Sequence, residues 1–276
     1  MVKNYVVEKY GFLPNEMWHL RRIQKPTTTK QGRLFNTNSY RIEIDITYKC
    51  NLKCLNCDRS CRQAPSDERM TLRQIKKFID ESVKQGRKWE KIRILGGEPT
   101  LHPEILPITG QLLSYKKNFS PDTIIQVVTN GFGARVNNTL SRISREIAIS
   151  NTIKKSQVNK FSPFNIAPKD SIMYEDVDYS NGCFIPAICG IGLTRYGYYP
   201  CAVGGAIDRI FGFDIGKKSL PAVNYKMINE LRILCRYCGH FKNNVKYEPI
   251  TDEVMSASWK GAYRKYKAKK PILSLY

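Results

Sequence analysis

The sequence predicts an α/β protein, in which a partial (βα) barrel is followed by a small cysteine-rich module. Two observations lead to this fold class. Strand-like and helix-like patterns alternate between residues 41 and 150, and after about residue 160 the chain becomes rich in Pro, Gly, Tyr and Cys. Such alternation implies parallel strands joined by right-handed crossovers. In barrels of this kind the chemistry gathers at the carboxyl ends of the strands, so reactive groups are expected there.

The first predicted elements have the clearest local patterns. Arg41–Ile46 alternates charged and apolar residues, as a half-buried strand does. Thr71 and Gln74 form a capping-box pattern, and apolar residues then recur at helical spacing until Gly86 ends the helix. The same criteria predict strands over Lys91–Leu95, Thr123–Thr129 and Ile147–Ser150 and helices over Glu104–Tyr115 and Thr139–Glu146.

The second part of the chain has weaker patterns. No long amphipathic helix is predicted between residue 160 and about Val223–Leu234, and TRYGYYPC predicts a hairpin around Gly197. We place a boundary near residue 180. The predicted organisation is an N-terminal extension (1–40), the partial barrel (41–180), the cysteine-rich module (181–245) and a basic C-terminal tail (246–276).

The charge of the chain indicates a class of partner. Lys and Arg number 45 against 24 Asp and Glu, a formal net charge of +21, which attracts polyanions or else is spread over a solvated surface. The longest apolar stretches, around Ile124–Val128 and Ile207–Phe213, are too short or too charged to span a membrane, and the N-terminus lacks the apolar segment of a secretory signal. We therefore expect a cytoplasmic protein with no membrane partner.

Nine cysteines in a chain without a secretory signal are expected to be reduced thiols available as metal ligands. Cys50, Cys54 and Cys57 lie within eight residues, directly after the first predicted strand. A four-iron cluster takes one thiolate per iron, so three thiolates leave one iron open to another ligand. The alternative is a structural zinc site with Cys61 as the fourth ligand.

Polar motifs follow the next predicted strands. Gly96-Gly97-Glu98-Pro99 comes directly after the second strand, where two glycines let the backbone approach a ligand and the glutamate can receive an ammonium group. Thr129-Asn130-Gly131 ends the third strand, and Ser150-Asn151 ends the fourth. Three polar groups at successive strand ends indicate a binding site.

Together, CxxxCxxC, GGEP and TNG in this strand context resemble the radical S-adenosylmethionine (SAM) superfamily over roughly residues 40–155. The resemblance implies that Cys50, Cys54 and Cys57 hold a [4Fe–4S] cluster whose open iron binds SAM. Further residues implied to bind this cofactor are Gly96, Gly97, Glu98, Thr129, Asn130, Ser150, Asn151 and, less typically, Asn56, which stands where the family usually has an aromatic residue. An electron donor such as flavodoxin or ferredoxin is implied as well.

The second cysteine group comprises five thiols: Cys183, Cys189, Cys201, Cys235 and Cys238. From spacing alone it is consistent with a structural zinc ribbon. The GYYPC segment and the terminal CxxC resemble the auxiliary modules, called SPASM or twitch, that follow the barrel in one branch of the superfamily. That resemblance implies a second, auxiliary [4Fe–4S] cluster, and the sequence leaves open which four of the five thiols bind it.

The resemblance implies reductive cleavage of SAM to a 5′-deoxyadenosyl radical, followed by net oxidation of a substrate with the auxiliary cluster as electron acceptor. The expected substrate is a small molecule or sugar first and a peptide second, with an anionic polymer as a further possibility. No catalytic acid or base is assigned. The alternatives are a peptide-modifying maturase, a nucleotide- or nucleic-acid-modifying enzyme, and a non-enzymatic, metal-stapled nucleic-acid-binding module.

Two further features allow more than one interpretation. His102 is expected to structure a turn rather than to transfer protons. The tail around Trp259, Tyr263 and Tyr266 is basic with interleaved aromatic residues, so its rings either stack on nucleotides or pack against the protein as a helix.

Overall fold

A six-stranded sheet organises the protein, whose computed structural model describes residues 15–152, 154, 164–242 and 254–276. The strand order is β4-β3-β2-β1-β5-β6, with β1 to β5 parallel and β6 antiparallel to β5. The strands are β1 (Arg41–Thr47), β2 (Lys91–Gly96), β3 (Ile124–Thr129), β4 (Ala148–Asn151), β5 (Ile191–Thr194) and β6 (Gly197–Tyr199).

Nine α-helices accompany the sheet in the described part of the chain. They are α1 (Asn15–Arg22), α2 (Lys25–Gln31), α3 (Leu72–Lys84), α4 (Ile105–Asn118), α5 (Ala134–Leu140), α6 (Ile185–Ile188), α7 (Ala202–Phe211), α8 (Ile228–Leu234) and α9 (Ala257–Ala268). Short 3₁₀ helices cover Pro99–Leu101, Pro168–Asp170, Ile172–Tyr174 and Gly239–Lys242.

The central strand β1 is buried on both faces. Ile42, Ile44 and Ile46 join an apolar core with residues of α3, α4 and the neighbouring strands. The alternate residues Glu43, Asp45 and Thr47 point to the opposite face, where they are 5%, 1% and 2% exposed. Burial of two carboxylates on that face requires charged partners, which the cysteine loop supplies as described below.

The four predicted strands of the barrel are confirmed with ends shifted by one residue at most. The predicted capping box is present, since Thr71 Oγ1 accepts from the Gln74 amide and the Gln74 side chain accepts from the Thr71 amide. His102 structures a turn as expected: its Nε2 lies 2.9 Å from the Met70 carbonyl oxygen, and its Nδ1 accepts from the Glu104 amide.

The helix predicted over Thr139–Glu146 is wrong in position. The observed helix α5 covers Ala134–Leu140 and begins directly after Gly133, whose positive φ of 97° suits glycine at this entry point. The chain therefore enters this helix immediately after the TNG motif, which brings its start near the edge of the sheet that carries the candidate site.

Helix α7 was not predicted. Its sequence carries the pair Gly204-Gly205, and glycine is unfavourable in a helix interior. All nine residues from Ala202 to Ile210 are buried, so packing against the rest of the protein stabilises this helix. Helix α8, in contrast, is shorter than the predicted Val223–Leu234 and covers only Ile228–Leu234.

The predicted hairpin around Gly197 is confirmed and extends the main sheet. Strand β5 pairs with β1, and β6 pairs with β5. The boundary expected near residue 180 therefore does not separate two sheets. The helices α1 and α2 also reach this part of the chain, since His19 Nε2 lies 2.9 Å from the Phe241 carbonyl oxygen and the Lys25 amide donates to Asp176.

The aromatic residues of the C-terminal tail face inward. Trp259, Tyr263 and Tyr266 are 0%, 5% and 4% exposed in helix α9 and belong to a core shared with α7. Packing against the protein, rather than stacking on nucleotides, is thus the correct interpretation of these rings.

Within the described residues, no helix has the length and apolar character needed to cross a membrane.

Two helix glycines form a matched pair that tests this packing. A Cβ added at Gly205 in α7 would lie 2.5 Å from Thr194 Cγ2, whereas Gly110 in α4 has no atom within 4 Å of that position. We expect Gly205→Ala to lower the free energy of unfolding by about 1–3 kcal/mol. Gly110→Ala is expected to raise it by about 0.5–1 kcal/mol. Urea unfolding measures both, and equal effects would contradict the close packing of α7 on β5.

Candidate metal centre

The first cysteine loop leaves β1 and is held by the end of β2. The Gly97 amide donates to Thr47 O and the Glu98 amide donates to Lys49 O, each at 2.8 Å. A Cβ at Gly96 or Gly97 would overlap the carbonyl oxygen of Thr47 or Lys49. The two glycines are therefore required for the close approach of two backbone segments, which places the GG pair directly against the start of the cysteine loop.

Glu98 joins the motifs at the ends of β2 and β3. Its carboxylate is fully buried and accepts four hydrogen bonds. Two come from the amide and hydroxyl of Thr100, one from the Thr129 hydroxyl at 2.9 Å and one from the Asn130 amide at 2.8 Å. Three of these bonds end on Oε1 and one on Oε2, so the protein fixes the orientation of the carboxylate, and its role toward a ligand's ammonium group stays a prediction.

Asn130 connects the TNG motif to the cysteine loop. Its Nδ2 donates to Asn51 Oδ1 at 2.9 Å and lies 3.9 Å from Cys50 Sγ. Gly131 packs against Asn151, whose side chain a Cβ at residue 131 would overlap. The sequence motifs CxxxCxxC, GGEP, TNG and the Asn151 strand end therefore come together at one edge of the sheet.

The three thiols of the loop differ in their surroundings. Burial raises the pKa of Cys50 to about 11, and the Leu52 amide donates to its sulfur. Lys154 Nζ lies 3.9 Å from Cys54 Sγ. A hydrogen bond from Cys61 lowers the pKa of Cys57 and raises that of Cys61 well above its usual value. Cys61 is therefore a direct neighbour of Cys57 rather than a distant thiol.

Arg59 fixes this loop to the inner face of β1. Its guanidinium donates to both carboxylate oxygens of Asp45 at 3.1 and 3.3 Å, to Glu43 at 3.2 Å and to Asp58 at 2.9 Å. Glu43 also pairs with Arg93. Burial raises the pKa of Asp45 to about 6, although the positive charge of Arg59 opposes that shift.

The second cysteine group forms a separate, apolar pocket. Cys183, Cys201, Cys235 and Cys238 line it together with side chains such as Leu234. Burial raises the pKa of Cys183 to about 11 and that of Cys201 to about 12, and it raises those of Cys235 and Cys238 well above the usual value. Cys201 directly precedes α7, Cys235 and Cys238 lie in the turn after α8, and Cys183 lies in the segment before α6.

The fifth thiol, Cys189, lies outside this pocket. Its sulfur is 3.9 Å from Arg93 Nη1, and burial together with the charge of Glu43 raises its pKa to about 11. Cys189 thus faces the charged groups on the inner face of β1 and β2. The sequence could not separate it from the other four, because its spacing from Cys183 suits a ligand equally well.

Four-iron clusters fit the donor sets of both groups. The first loop offers three thiols and the second pocket offers four. Since a cube takes one thiolate per iron, four thiols match all four irons and three leave one iron open. Among the described residues, no three His, Cys, Asp or Glu side chains are arranged to hold a single metal ion.

Two of the remaining sequence-predicted residues are Asn56, which belongs to the loop, and Ser150, which lies on β4. Asn56 is 1% exposed and has a φ of 53°, a left-handed conformation that asparagine tolerates well. Ser150 is half-buried on β4, paired with Val128 of β3. The sequence analysis missed two basic residues that contact the loop from outside the motifs, Arg59 and Lys154. A single basic residue belongs to no spaced motif, so nothing in the sequence singles it out.

Glu98 offers a direct test of how the site is assembled. We expect Glu98→Gln to lower the free energy of unfolding by about 1–3 kcal/mol, because the new NH₂ group would face donors inside a buried site. The control is Glu104→Gln, at a half-buried position where the carboxylate accepts no hydrogen bond among the described contacts, and it is expected to change stability by less than about 0.5 kcal/mol. Equal effects in urea unfolding would contradict the role given to Glu98.

Comparison with known proteins agrees with the geometry. The Radical SAM superfamily model matches residues 44–146, which include Cys50, Cys54 and Cys57, GGEP and TNG, and it ends before the second cysteine group. The GTP 3′,8-cyclase of Aliarcobacter butzleri is 27% identical over 135 residues, 47% of this chain and 38% of that protein. A probable GTP 3′,8-cyclase of Methanococcus aeolicus is 33% identical over 98 residues, 36% of this chain and 31% of that protein.

The chain thus spans well under half the length of these curated relatives. Among solved structures, BtrN in complex with AdoMet and 2-DOIA is 16% identical, with a TM-score of 0.46 over 80% of this chain and 98% of that one. Streptococcus suis SuiB bound to the precursor peptide SuiA is 12% identical, with a TM-score of 0.40 over 87% of this chain and 81% of that one. The chain therefore carries a radical SAM superfamily domain over residues 44–146.

Proposed function

We propose that the protein is a radical SAM enzyme that reductively cleaves SAM and uses the resulting radical to oxidise a substrate. The observation that carries this proposal is the convergence of the cysteine loop with the GGEP and TNG strand ends, joined through Asn130 and Glu98. In a structural zinc site, nothing would require these strand ends to meet the loop.

Each part of this site has a distinct task. Cys50, Cys54 and Cys57 would hold the first cluster, which when bound supplies the electron that splits SAM into methionine and a 5′-deoxyadenosyl radical. The backbone of Gly96 and Gly97 lines the approach to the loop. Polar side chains of Thr129, Asn130, Ser150 and Asn151 lie at the ends of β3 and β4, where they would orient the cofactor.

The second pocket supports the proposal of an auxiliary cluster held by Cys183, Cys201, Cys235 and Cys238. These four thiols share one apolar pocket, whereas Cys189 faces Glu43 and Arg93 instead. Burial keeps the pocket thiols protonated near neutral pH, so ligation there would release protons. An electron acceptor at this position favours net oxidation of the substrate, either dehydrogenation or formation of a new bond.

The substrate is proposed at the level of class. A small molecule or sugar comes first and a peptide second, and a cytoplasmic enzyme supplied by flavodoxin or ferredoxin fits this chemistry. A nucleotide-modifying enzyme is the second candidate, favoured by the net charge of +21 and by relatives that are named for a reaction of GTP. A substrate panel that measures 5′-deoxyadenosine release above the uncoupled rate separates these classes.

The first prediction from this proposal concerns SAM itself. With dithionite as reductant, the anaerobically reconstituted protein is expected to release 5′-deoxyadenosine without added substrate. Replacement of Cys50, Cys54 or Cys57 by Ala is expected to abolish the release, because each binds one iron of the cluster. Chromatography of the nucleoside product measures this, and full retention of cleavage in the three variants would refute the proposed function.

The second prediction concerns the number of irons. The reconstituted protein is expected to hold about eight irons, and Cys201→Ala combined with Cys235→Ala is expected to hold about four. Cys189→Ala and Cys61→Ala are matched controls that are expected to keep about eight irons, since neither thiol belongs to the proposed ligand sets. Iron and sulfide analysis checks the count, and loss of four irons in Cys189→Ala would show that the ligands are chosen wrongly.

A further inference from the structure

Helix α9 is hydrogen-bonded to both of the segments that carry the cysteine groups. Tyr263 Oη is 2.8 Å from Ser60 Oγ, in the loop that carries Cys57, and Trp259 Nε1 donates at 2.7 Å to the carbonyl of Tyr237, the residue before Cys238. An α-helix with its side chains is about 10–12 Å in diameter. The outer face of α9 is therefore about one helix diameter from both cysteine-bearing segments.

That outer face carries a stripe of positive charge. Lys260, Arg264 and Lys267 are exposed, lie at helical spacing on one flank of α9 and make no ion pair within 4 Å in the described part of the chain. Like charges four residues apart destabilise a helix by about 0.2–0.5 kcal/mol. From Ala257 to Tyr276 the sequence has six basic residues and no acidic one, so nothing in this segment offsets the repulsion.

We call Lys260, Arg264 and Lys267 the α9 basic stripe. We propose that the α9 basic stripe is the docking surface for an acidic one-electron carrier protein. The inference rests on the proposed function, which needs one electron for each SAM cleaved. In that step the reduced flavin or iron–sulfur group of the carrier loses one electron, and SAM accepts it as its sulfur–C5′ bond breaks. The site of reduction must lie near the cluster-bearing loops, and α9 is packed against both of them.

Charge complementarity selects the kind of partner. A single-stranded nucleic acid binds through stacking on exposed aromatic rings together with basic groups. On α9 the rings of Trp259, Tyr263 and Tyr266 are buried against the protein, which leaves only the charges outside. A row of cations that have no ion pair among the described residues and no exposed ring beside them suits the carboxylate-rich surface of an acidic protein, which it would attract over long range and orient.

The test compares two charge reversals of equal size. In the stripe variant Lys260, Arg264 and Lys267 are changed to Glu, and in the control variant Arg73, Lys84 and Lys88 are changed to Glu. The control residues are exposed, unpaired among the described residues and located on or directly after α3, which packs on the other face of the sheet. Both variants lose the same net charge, so a general loss of attraction affects them alike.

The first readout is binding of a purified acidic flavodoxin, measured by calorimetry at about 50 mM salt and again at higher salt. We expect the stripe variant to bind at least tenfold more weakly than the wild type, the control to change by less than threefold, and wild-type binding to weaken as salt rises. A variant with Gln at the three stripe positions is expected to be intermediate, which keeps the test valid if the Glu variant is poorly folded. Equal weakening in the stripe and control variants would overturn the proposal.

The second readout is the ratio of flavodoxin-driven to dithionite-driven SAM cleavage in the loaded enzyme. The ratio is expected to fall at least tenfold in the stripe variant, because dithionite is a small reductant that needs no docking surface. Absence of dithionite-driven cleavage in the wild type would count against the proposed function itself, whereas an unchanged ratio would overturn only the docking surface. If a single-stranded oligonucleotide loses affinity in the stripe variant while flavodoxin does not, the stripe binds nucleic acid and the proposal is wrong.

Discussion

The buried ion pairs of Arg59 connect the cysteine loop to the central strand of the sheet. Two of its partners, Glu43 and Asp45, project from the inner face of β1, and the third, Asp58, is its own neighbour in the loop. Removing one member of such a buried set typically costs about 3–5 kcal/mol, because an unpaired charge stays behind. The position of the three thiols relative to the strand ends therefore depends on this one arginine more than on any hydrogen bond within the loop.

Buried polar groups also fix the ends of the strands. At this edge of the sheet, the buried polar side chains form hydrogen bonds that hold the neighbouring loops in place. The Glu98 carboxylate accepts from Thr100, Thr129 and Asn130, and the Asn130 side chain in turn donates to Asn51. These buried hydrogen bonds fix the strand ends and the cysteine loop relative to one another within the protein itself.

The first elements of the barrel could be predicted from sequence because local signals mark them, such as the alternation of charged and apolar residues in β1, the capping box of Thr71 at the start of α3 and the glycines after β2. Helix α7 could not, because Gly204 and Gly205 oppose a helix locally, and the burial that stabilises it depends on the rest of the fold. The thiols of the first loop were predictable from spacing within eight residues. The four thiols of the second pocket were not separable from Cys189, because their selection depends on a fold that brings residues 183 and 238 together.

The two thiol groups offer different surroundings to the clusters proposed for them. Around the first, the Leu52 amide, Asn130 and Lys154 place hydrogen-bond donors and a positive charge beside the sulfurs. The second is walled by apolar side chains, and backbone amides such as that of Gly204 are the donors that face its thiols. Hydrogen bonds to sulfur, nearby charge and solvent exposure set the reduction potential of an iron–sulfur centre. Two sites built so differently would give the clusters proposed for them unequal reduction potentials.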